Sequence, residues 1–276
     1  MTRWVAAVAL GLALVAPAIR ADEAPNLLTD AFDISLGTYI LNSDTNIRLD
    51  GSAGQSGTEF NWEEKFGDED GTRFRIDGTW RFTDSGTHKL RFMWFNFSRD
   101  KTRTNDRDFI WNGETIPESS TMNGQFKFDI IELAYEYAFL KRDTYEVTGS
   151  IGLHYADFSA GIAATVATSG GNGTKQVSGE ASVGAPLPVI GLRGIWQLPH
   201  NFWIDASAQY FALSIDGYDG NVQDYRFGVR WQPSRWVGLG VGYNQFGINV
   251  DVDKDKFNGS LDWKYKGPQI YYSIAF

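Results

Sequence analysis

Residues 73–82 read RFRIDGTWRF, and they decide the fold because polar and apolar side chains alternate along the stretch. An extended strand points successive side chains to opposite faces, so this stretch has one charged face and one apolar face. The charged face carries Arg73, Arg75, Asp77 and Arg81. The apolar face carries Phe74, Ile76, Trp80 and Phe82. The pattern predicts a β-strand that separates an apolar environment from a polar one.

The N-terminal residues have the pattern of an export signal. Arg3 precedes an apolar run over residues 5–19, and small residues follow. The run is shorter than the about 20 apolar residues that a membrane-spanning helix needs. We therefore predict a signal peptide over residues 1–21, with cleavage after Ala18 as the alternative, and Sec-type export of a mature domain over residues 22–276.

The mature domain is predicted to be a closed β-barrel in a membrane. It has no second apolar run that could cross a bilayer as a helix, and only helices and closed barrels satisfy every backbone group in lipid. Short polar turns near residues 84–86, 141–143, 199–201 and 233–235 alternate with five longer connections, near residues 51–70, 101–123, 167–178, 216–221 and 253–258. This rhythm predicts an all-β fold: a transmembrane antiparallel up-and-down β-barrel of ten strands, with eight or twelve as alternatives.

The charged face of residues 73–82 should line the barrel interior. An arginine that faces lipid at mid-membrane costs roughly 2–4 kcal/mol, so reversing this strand would cost on the order of 10 kcal/mol. Buried charges must be paired, which predicts a salt-bridge network that fills the lumen. Its predicted members are Arg73, Arg75, Asp77, Arg81, Arg91, Asp129, Glu132, Glu136, Arg226, Arg230 and Lys264. The alternative is a narrow polar channel.

Several strands change phase midway. Phe126, Phe128 and Ile130 are in phase with one another, but Ile131 and Leu133 continue the apolar pattern one residue later. A one-residue slip reverses every side chain, so we predict β-bulges here and near residues 94–95, 210–211 and 244–245. In the alternative, the upper half of each strand has left the membrane and follows no lipid pattern.

Composition excludes several classes of function. The chain has no cysteine, which removes disulfides, thiolate chemistry and cysteine-ligated metals. Its net charge is −9 and no basic stretch offsets the acidic excess, so we expect no nucleic-acid partner. Nothing in the sequence indicates a cofactor.

Catalytic residues are scarce. Among the three histidines, only His154 could reach the outer rim of the barrel, where Glu132, Glu136 or Ser159 could approach it. A lone histidine on a polar lumen face is more often a hydrogen-bonded network member than a general base. We therefore expect no enzymatic activity, and a hydrolase that uses His154 is the weakest alternative.

Two sets of loop residues stand out. Asp251, Asp253 and Asp255 resemble the start of a calcium loop, but Lys256 replaces the required glycine, so we expect a solvated loop without a metal. Aromatic residues are unusual in solvated loops, yet the first two long connections contain several. We expect these side chains to pack over the barrel mouth: Trp62, Phe66, Phe109, Ile110 and Trp111.

The last residues, 270–276, read IYYSIAF and look like the closing strand of a Gram-negative outer-membrane β-barrel. The signal read by the barrel-assembly machinery in such proteins is matched by Gly267, Ile270, Tyr272, Ile274 and Phe276. From residue 237 onward the chain resembles a widespread, poorly characterised proteobacterial barrel family. The whole mature architecture resembles OmpA-type and OmpW-type barrels. These resemblances imply an outer-membrane location and contact with the assembly machinery, but they imply no substrate.

The sequence therefore predicts a non-enzymatic integral protein of the cell outer membrane, with a structural or surface-interaction role. Its expected partners are outer-membrane lipid and lipopolysaccharide, and it is expected to be a monomer. A small porin-like channel for polar or amphiphilic solutes is the main alternative.

Overall fold

The computed structural model describes residues 25–40, 42–50, 55–67, 72–167, 173–215, 218–254 and 257–276. The predicted signal peptide over residues 1–21 lies outside these described residues. Among the described residues, no helix is long and apolar enough to cross a membrane.

Nearly all of the described chain is β-strand. The strands are β1 (Phe32–Ile40), β2 (Asn42–Leu49), β3 (Phe60–Asn61), β4 (Thr72–Arg81), β5 (His88–Thr104), β6 (Phe109–Trp111), β7 (Glu114–Ile116), β8 (Thr121–Lys141), β9 (Tyr145–Ala167), β10 (Thr174–Leu198), β11 (Phe202–Ile215), β12 (Tyr218–Ser234), β13 (Val237–Lys254) and β14 (Phe257–Ala275). A short helix, α1 (Trp62–Phe66), follows β3, and a 3₁₀ turn (Pro199–Asn201) joins β10 to β11.

The strands form a closed antiparallel ring in the order β1-β4-β5-β8-β9-β10-β11-β12-β13-β14, and β14 pairs back to β1. The closing register runs from Asp33 opposite Ala275 to Tyr39 opposite Gln269. β2 continues the wall beyond β1 by pairing with the first half of β14, and β3 pairs with β2. The predicted up-and-down barrel is confirmed. Within the described chain the strand count depends on whether β2 and β3, which extend the same sheet, are counted separately.

The short connections predicted from the sequence all lie at one end of the barrel. We call the half next to these turns the lower half and the opposite half the upper half. The longer connections predicted near residues 216–221 and 253–258 are mostly strand, because β11 to β14 extend almost to their tips. The upper half is therefore a wall of long strands rather than a set of loose loops.

A band of exposed apolar side chains surrounds the lower half. Its members include Leu36, Ile40, Ile131, Leu133, Ile151, Ile190, Leu192, Phe227, Val241 and Ile270. On β8 the band extends from Ile131 to Phe139, which at the rise and tilt of barrel strands is roughly 20–25 Å of height. Such a continuous apolar belt is stable only in lipid, so the lower half is the membrane-spanning part.

Above the belt the outer face becomes polar without any change in register. On β8, Asp129, Lys127 and Gln125 continue the outward face of Ile131 and Leu133. The registers of β5, β8, β11 and β13 with their neighbours are continuous across each predicted slip. The predicted β-bulges are therefore wrong, and the alternative holds: the strands have left the membrane, so apolar residues turn inward and polar ones outward.

The edge of the belt can be tested on β8 with one arginine on each side of it. We expect Leu133→Arg to lower the free energy of unfolding in lipid vesicles by about 2–4 kcal/mol, because the charge would face lipid. Gln125→Arg has the same outward direction but lies above the belt, so we expect a change within about 0.5 kcal/mol. Urea titrations followed by tryptophan fluorescence measure both. Equal losses would contradict this placement of the membrane.

Candidate functional site

Buried charges occupy the interior of the lower half and join strands on opposite sides of the barrel. Asp77 on β4 lies at the centre: Arg75 donates two hydrogen bonds to it at 2.9 Å and a third at 3.0 Å, and Arg226 on β12 donates to it at 2.8 Å. The other arm of Arg226 lies 3.9 Å from Asp205 on β11. Two guanidinium groups from different parts of the wall therefore share one carboxylate.

The chain of contacts continues across the lumen. Arg193 on β10 donates to Asp205 at 2.5 and 2.9 Å and lies 3.7 Å from Glu136 on β8. Lys89 on β5 lies 3.9 Å from Glu136 and donates to Glu146 at 2.5 Å. Nearer the turns, Glu146 also accepts a hydrogen bond from Arg81. The contacts connect seven strands of the ring into one network.

Charge in this network is balanced. Its basic members in the described chain are Arg75, Arg81, Lys89, Arg91, Arg193, Arg226 and Arg230. The acidic members are equally numerous: Asp33, Asp77, Glu132, Glu136, Glu146, Asp205 and Asp224. One cavity among them has a volume of about 20 Å³ and is lined by Asp77, Arg91 and Arg230 among others. That volume accommodates about one water molecule.

Most of the predicted network residues lie in this interior. The structure brings together Arg75, Asp77, Arg81, Arg91, Glu132, Glu136, Arg226 and Arg230. Arg73 also faces inward, but higher, where its guanidinium lies 4.2 Å from the centre of the Phe97 ring. Two predicted members are wrong. Asp129 accepts a hydrogen bond from Asn96 on the outer wall, and Lys264 is exposed there beside Asp262.

The error at Asp129 and Lys264 has one physical cause. Both residues belong to the upper half, where the outward face contacts water and can carry charge at little cost. An inward position for these two charges would require lipid outside the barrel at their height as well.

Aromatic side chains fill the interior of the upper half. Trp263 lies at the centre, with its ring 4.2 Å from Phe128, 5.4 Å from Phe97 and 5.2 Å from Tyr265 between ring centroids. Phe126 and Phe246 lie around it at 6.0 and 5.8 Å. The sequence does not predict this cluster, because placing Asp129 and Lys264 in the lumen directs the aromatic residues beside them toward lipid. The polar residues between them, such as Lys127 and Asp129, were the available signal.

Helix α1 folds into the barrel mouth and closes it. Trp62 and Phe66 are fully buried, and the Trp62 ring lies 5.6 Å from Phe126 of the aromatic cluster. The β6–β7 hairpin packs beside α1, where Phe60 contacts both Phe109 and Trp111. We call residues 55–67 together with the β6–β7 hairpin the cap. The predicted packing of the loop aromatics over the mouth is confirmed for these buried side chains.

A buried ion pair holds the cap in place. Arg99 on β5 donates to Glu63 of α1 at 2.5 Å and to Thr45 of β2 at 2.6 Å. Glu63 also accepts from the backbone N–H of Thr45 at 2.7 Å. At the exposed edge, Lys65 donates to Asp106 at 2.6 Å, and this hydrogen bond lowers the pKa of that carboxyl.

His154 is sealed inside the wall. It is 1 % exposed, and its Nε2 lies 3.3 Å from Glu132, which also accepts from Gln209 at 2.6 Å. Ser159 lies on the opposite, outward face of β9, so it cannot act together with His154. His154 therefore lies buried between the charge network and the aromatic cluster.

Most of the remaining predicted residues lie on the outer wall. Ile270, Tyr272, Ile274 and Phe276 share its outward face, and Gly267 faces inward. Their role as an assembly signal stays a prediction. Asp251 and Asp253 also point outward, while Asp255 lies outside the described residues. Over the described ranges no three His, Cys, Asp or Glu side chains are grouped to hold a metal ion.

Comparison with known proteins defines the architecture. No protein-family model matches the chain, and no curated protein matches it in sequence. The structure of the outer-membrane protease OmpT from Escherichia coli is similar to 93 % of this chain and 100 % of that chain, with a TM-score of 0.57 and 11 % identity. The fold is that of an outer-membrane β-barrel.

Other outer-membrane barrels overlap less closely. Ail, the attachment invasion locus protein of Yersinia pestis, matches 87 % of this chain and 98 % of its own, with a TM-score of 0.34 and 11 % identity. The outer-membrane protein AlkL matches 95 % of this chain and 96 % of its own, with a TM-score of 0.37 and 9 % identity. At these identities the similarity describes the fold and not an activity.

The charge network can be tested by removing its central acid. We expect Asp77→Asn to lower the free energy of unfolding by about 3–5 kcal/mol, because Arg75 and Arg226 would stay buried without their shared carboxylate. Asp129→Asn is the matched control on the outer wall, with an expected loss below about 1 kcal/mol. Urea unfolding in vesicles measures both, and a loss at Asp77 no larger than at Asp129 would contradict the network.

The ion pair of the cap can be tested by proteolysis. We expect Glu63→Ala to increase the rate of tryptic cleavage after Lys65 at least about tenfold, because Arg99 would be left buried without its partner and the cap would open. Glu64→Ala changes the adjacent, exposed carboxylate and should leave the rate unchanged. Unaltered cleavage in Glu63→Ala, with the barrel still folded, would show that this pair does not hold the cap.

Proposed function

We propose that this protein is a non-enzymatic integral protein of the outer membrane, with a sealed interior and a structural or surface-interaction role. The observation that carries the proposal is the filled lumen. At membrane height it contains the balanced charge network, and above the membrane it contains the aromatic cluster and the cap. Opening this interior would require breaking both the charge network and the aromatic packing. The free-energy cost of doing so favours a sealed, rigid barrel over a channel.

The channel alternative requires both the charge network and the aromatic cluster with its cap to move. A polar solute would have to break the contacts of Asp77 and Glu136 with several cations, and then pass the ring packing around Trp263. The cavity of about 20 Å³ beside Asp77 and Arg230 is far smaller than a solute path. The geometry therefore supports the sealed form over the porin-like form.

The hydrolase alternative requires access to His154. Its closest acidic partner is Glu132, but both side chains are buried among other network members. A general base must lie within hydrogen-bond reach of the proton it removes from a substrate. Burial of His154 favours a structural role for it within the wall.

The cap offers the surface on which a partner could bind. The exposed charges of the cap and of the residues that flank its hairpin are mostly acidic: Glu59, Glu64, Asp106, Asp108, Glu114 and Glu118. A basic partner, or one bridged by divalent cations, fits such a surface. Lipopolysaccharide around the barrel and the assembly machinery during insertion complete the proposed set of contacts, and the protein acts as a monomer.

Planar-bilayer recordings test the sealed interior. We expect the purified full chain to insert without producing reproducible single-channel steps, because both closures stay in place. Heat-modifiable migration on a gel confirms that the inserted sample is folded, and a known porin in the same bilayer is the positive control. Reproducible steps from the folded protein would overturn the proposal in favour of the channel.

A further inference from the structure

A hollow lies on the outer wall of the upper half, directly above the membrane belt. Its volume is about 460 Å³, and it crosses β12, β13, β14 and β2. Pairing registers arrange its lining as three rows. The lowest row is Tyr225, Gln245, Lys266 and Asn42; the next is Gln223, Gly247, Lys264 and Asp44; the highest contains Asn221, Asn249 and Asp262. We call this feature the wall groove.

The hollow exists because Gly247, at its centre, has no side chain. It occupies the middle of the second row, with Gln223 on one side and Lys264 on the other. A Cβ added at Gly247 would meet only the Cγ atom of Lys264, at 3.7 Å. The centre of the wall groove is therefore open space bordered by long polar side chains, and a large side chain at Gly247 would fill it.

The amide side chains of the wall groove differ from amides elsewhere on the upper outer wall. Its five amides are Asn42, Asn221, Gln223, Gln245 and Asn249, and within the described chain none of them has a side-chain hydrogen bond. Amides elsewhere on the upper outer wall are paired: Asn96 donates to Asp129 at 2.6 Å, and Asn123 and Gln125 donate to Asp100 at 3.0 Å. The free donors and acceptors are thus concentrated where the wall is hollow.

We propose that the wall groove binds a saccharide. Each amide has both hydrogen-bond donors and an acceptor, and so does each sugar hydroxyl. An amide can therefore either donate to a sugar hydroxyl or accept from it. Two lysines and two aspartates line the groove and balance in charge, with Lys264 donating to Asp262 at 2.9 Å. The lining is therefore suited to many hydrogen bonds rather than to a strongly charged ligand.

The position of the groove identifies the sugar as part of a glycolipid in the surrounding leaflet. The lowest row includes Tyr225, and the strands below it present Phe227, Val241 and Ile270, which are half exposed in the apolar belt. If the acyl chains of a lipid lie along these side chains, its headgroup sugars reach the groove while the lipid stays inserted in the membrane. In the outer membrane this describes lipopolysaccharide, bound through its core sugars.

The test compares three probes with the detergent-solubilised full chain: intact lipopolysaccharide, lipid A without core sugars, and core oligosaccharide without lipid. We expect lipopolysaccharide to bind at least about tenfold more tightly than either part, because it uses both the groove and the belt. Gly247→Trp should weaken lipopolysaccharide binding at least about tenfold and change lipid A binding by less than about twofold.

A matched glycine lies on another part of the wall. Gly161 also faces outward in the upper half, and an added Cβ there would meet Glu180 at 3.7 Å. We expect Gly161→Trp to leave all three affinities unchanged, and gel migration shows whether each variant is folded.

Equal binding of lipid A and lipopolysaccharide, or no effect of Gly247→Trp, would overturn the saccharide site. Tight binding of the free oligosaccharide, equal to that of lipopolysaccharide, would overturn the glycolipid source. The inference rests on the proposed outer-membrane location but not on a sealed lumen, so conductance would overturn the proposed function and leave this inference standing.

Discussion

Neutralisation of buried charge inside the lower barrel is the constraint on which the rest of the structure depends. Lipid surrounds this half, so every charged side chain must point inward and find a partner there. Asp77 meets this requirement by accepting from both Arg75 and Arg226, and Glu136 does so by lying among Lys89, Arg91 and Arg193. Because these contacts, apart from Arg75 with Asp77, join different strands, neutralisation also fixes how the strands are arranged around the lumen.

In the upper half the polarity of the two sides of the wall is reversed. Water surrounds it, so its outer face can be polar and its interior must be apolar, as in a soluble protein. The aromatic cluster around Trp263 supplies that interior, and the cap closes it from above. Glu63 and Arg99 lie at the join, where one buried ion pair connects the cap to the wall. The barrel is therefore a membrane protein below and a small globular core above, built on the same strands.

Alternation along the sequence predicted much of this arrangement. The faces of residues 73–82 and 270–276 are as predicted, because a strand in lipid must separate apolar from charged residues. The reading failed at Phe126, Asp129 and Lys264, where the environment outside the wall changes from lipid to water. A strand that passes from lipid into water and a strand with a β-bulge both shift the alternating sequence pattern by one residue. The pattern alone therefore could not distinguish the two structures.

Contacts across the lumen were beyond prediction for another reason. Which side chains meet, such as Arg226 with Asp77 or Arg230 with Asp33, depends on the stagger of all strands around the ring. The wall groove was equally hidden, because its lining combines residues of four strands around Gly247. Local patterns reveal which way a residue faces, but they do not reveal its neighbours across the barrel.

Cysteine accessibility tests the filled interior most directly, since the chain contains no natural cysteine. Single variants Ala134→Cys in the lower interior, Ala160→Cys in the upper interior and Ala163→Cys on the outer wall would be treated with a small water-soluble thiol reagent. A filled barrel predicts rapid modification at Ala163→Cys and none at the two interior sites until the protein is unfolded. Modification of either interior cysteine in the folded protein at the rate of Ala163→Cys would contradict the account.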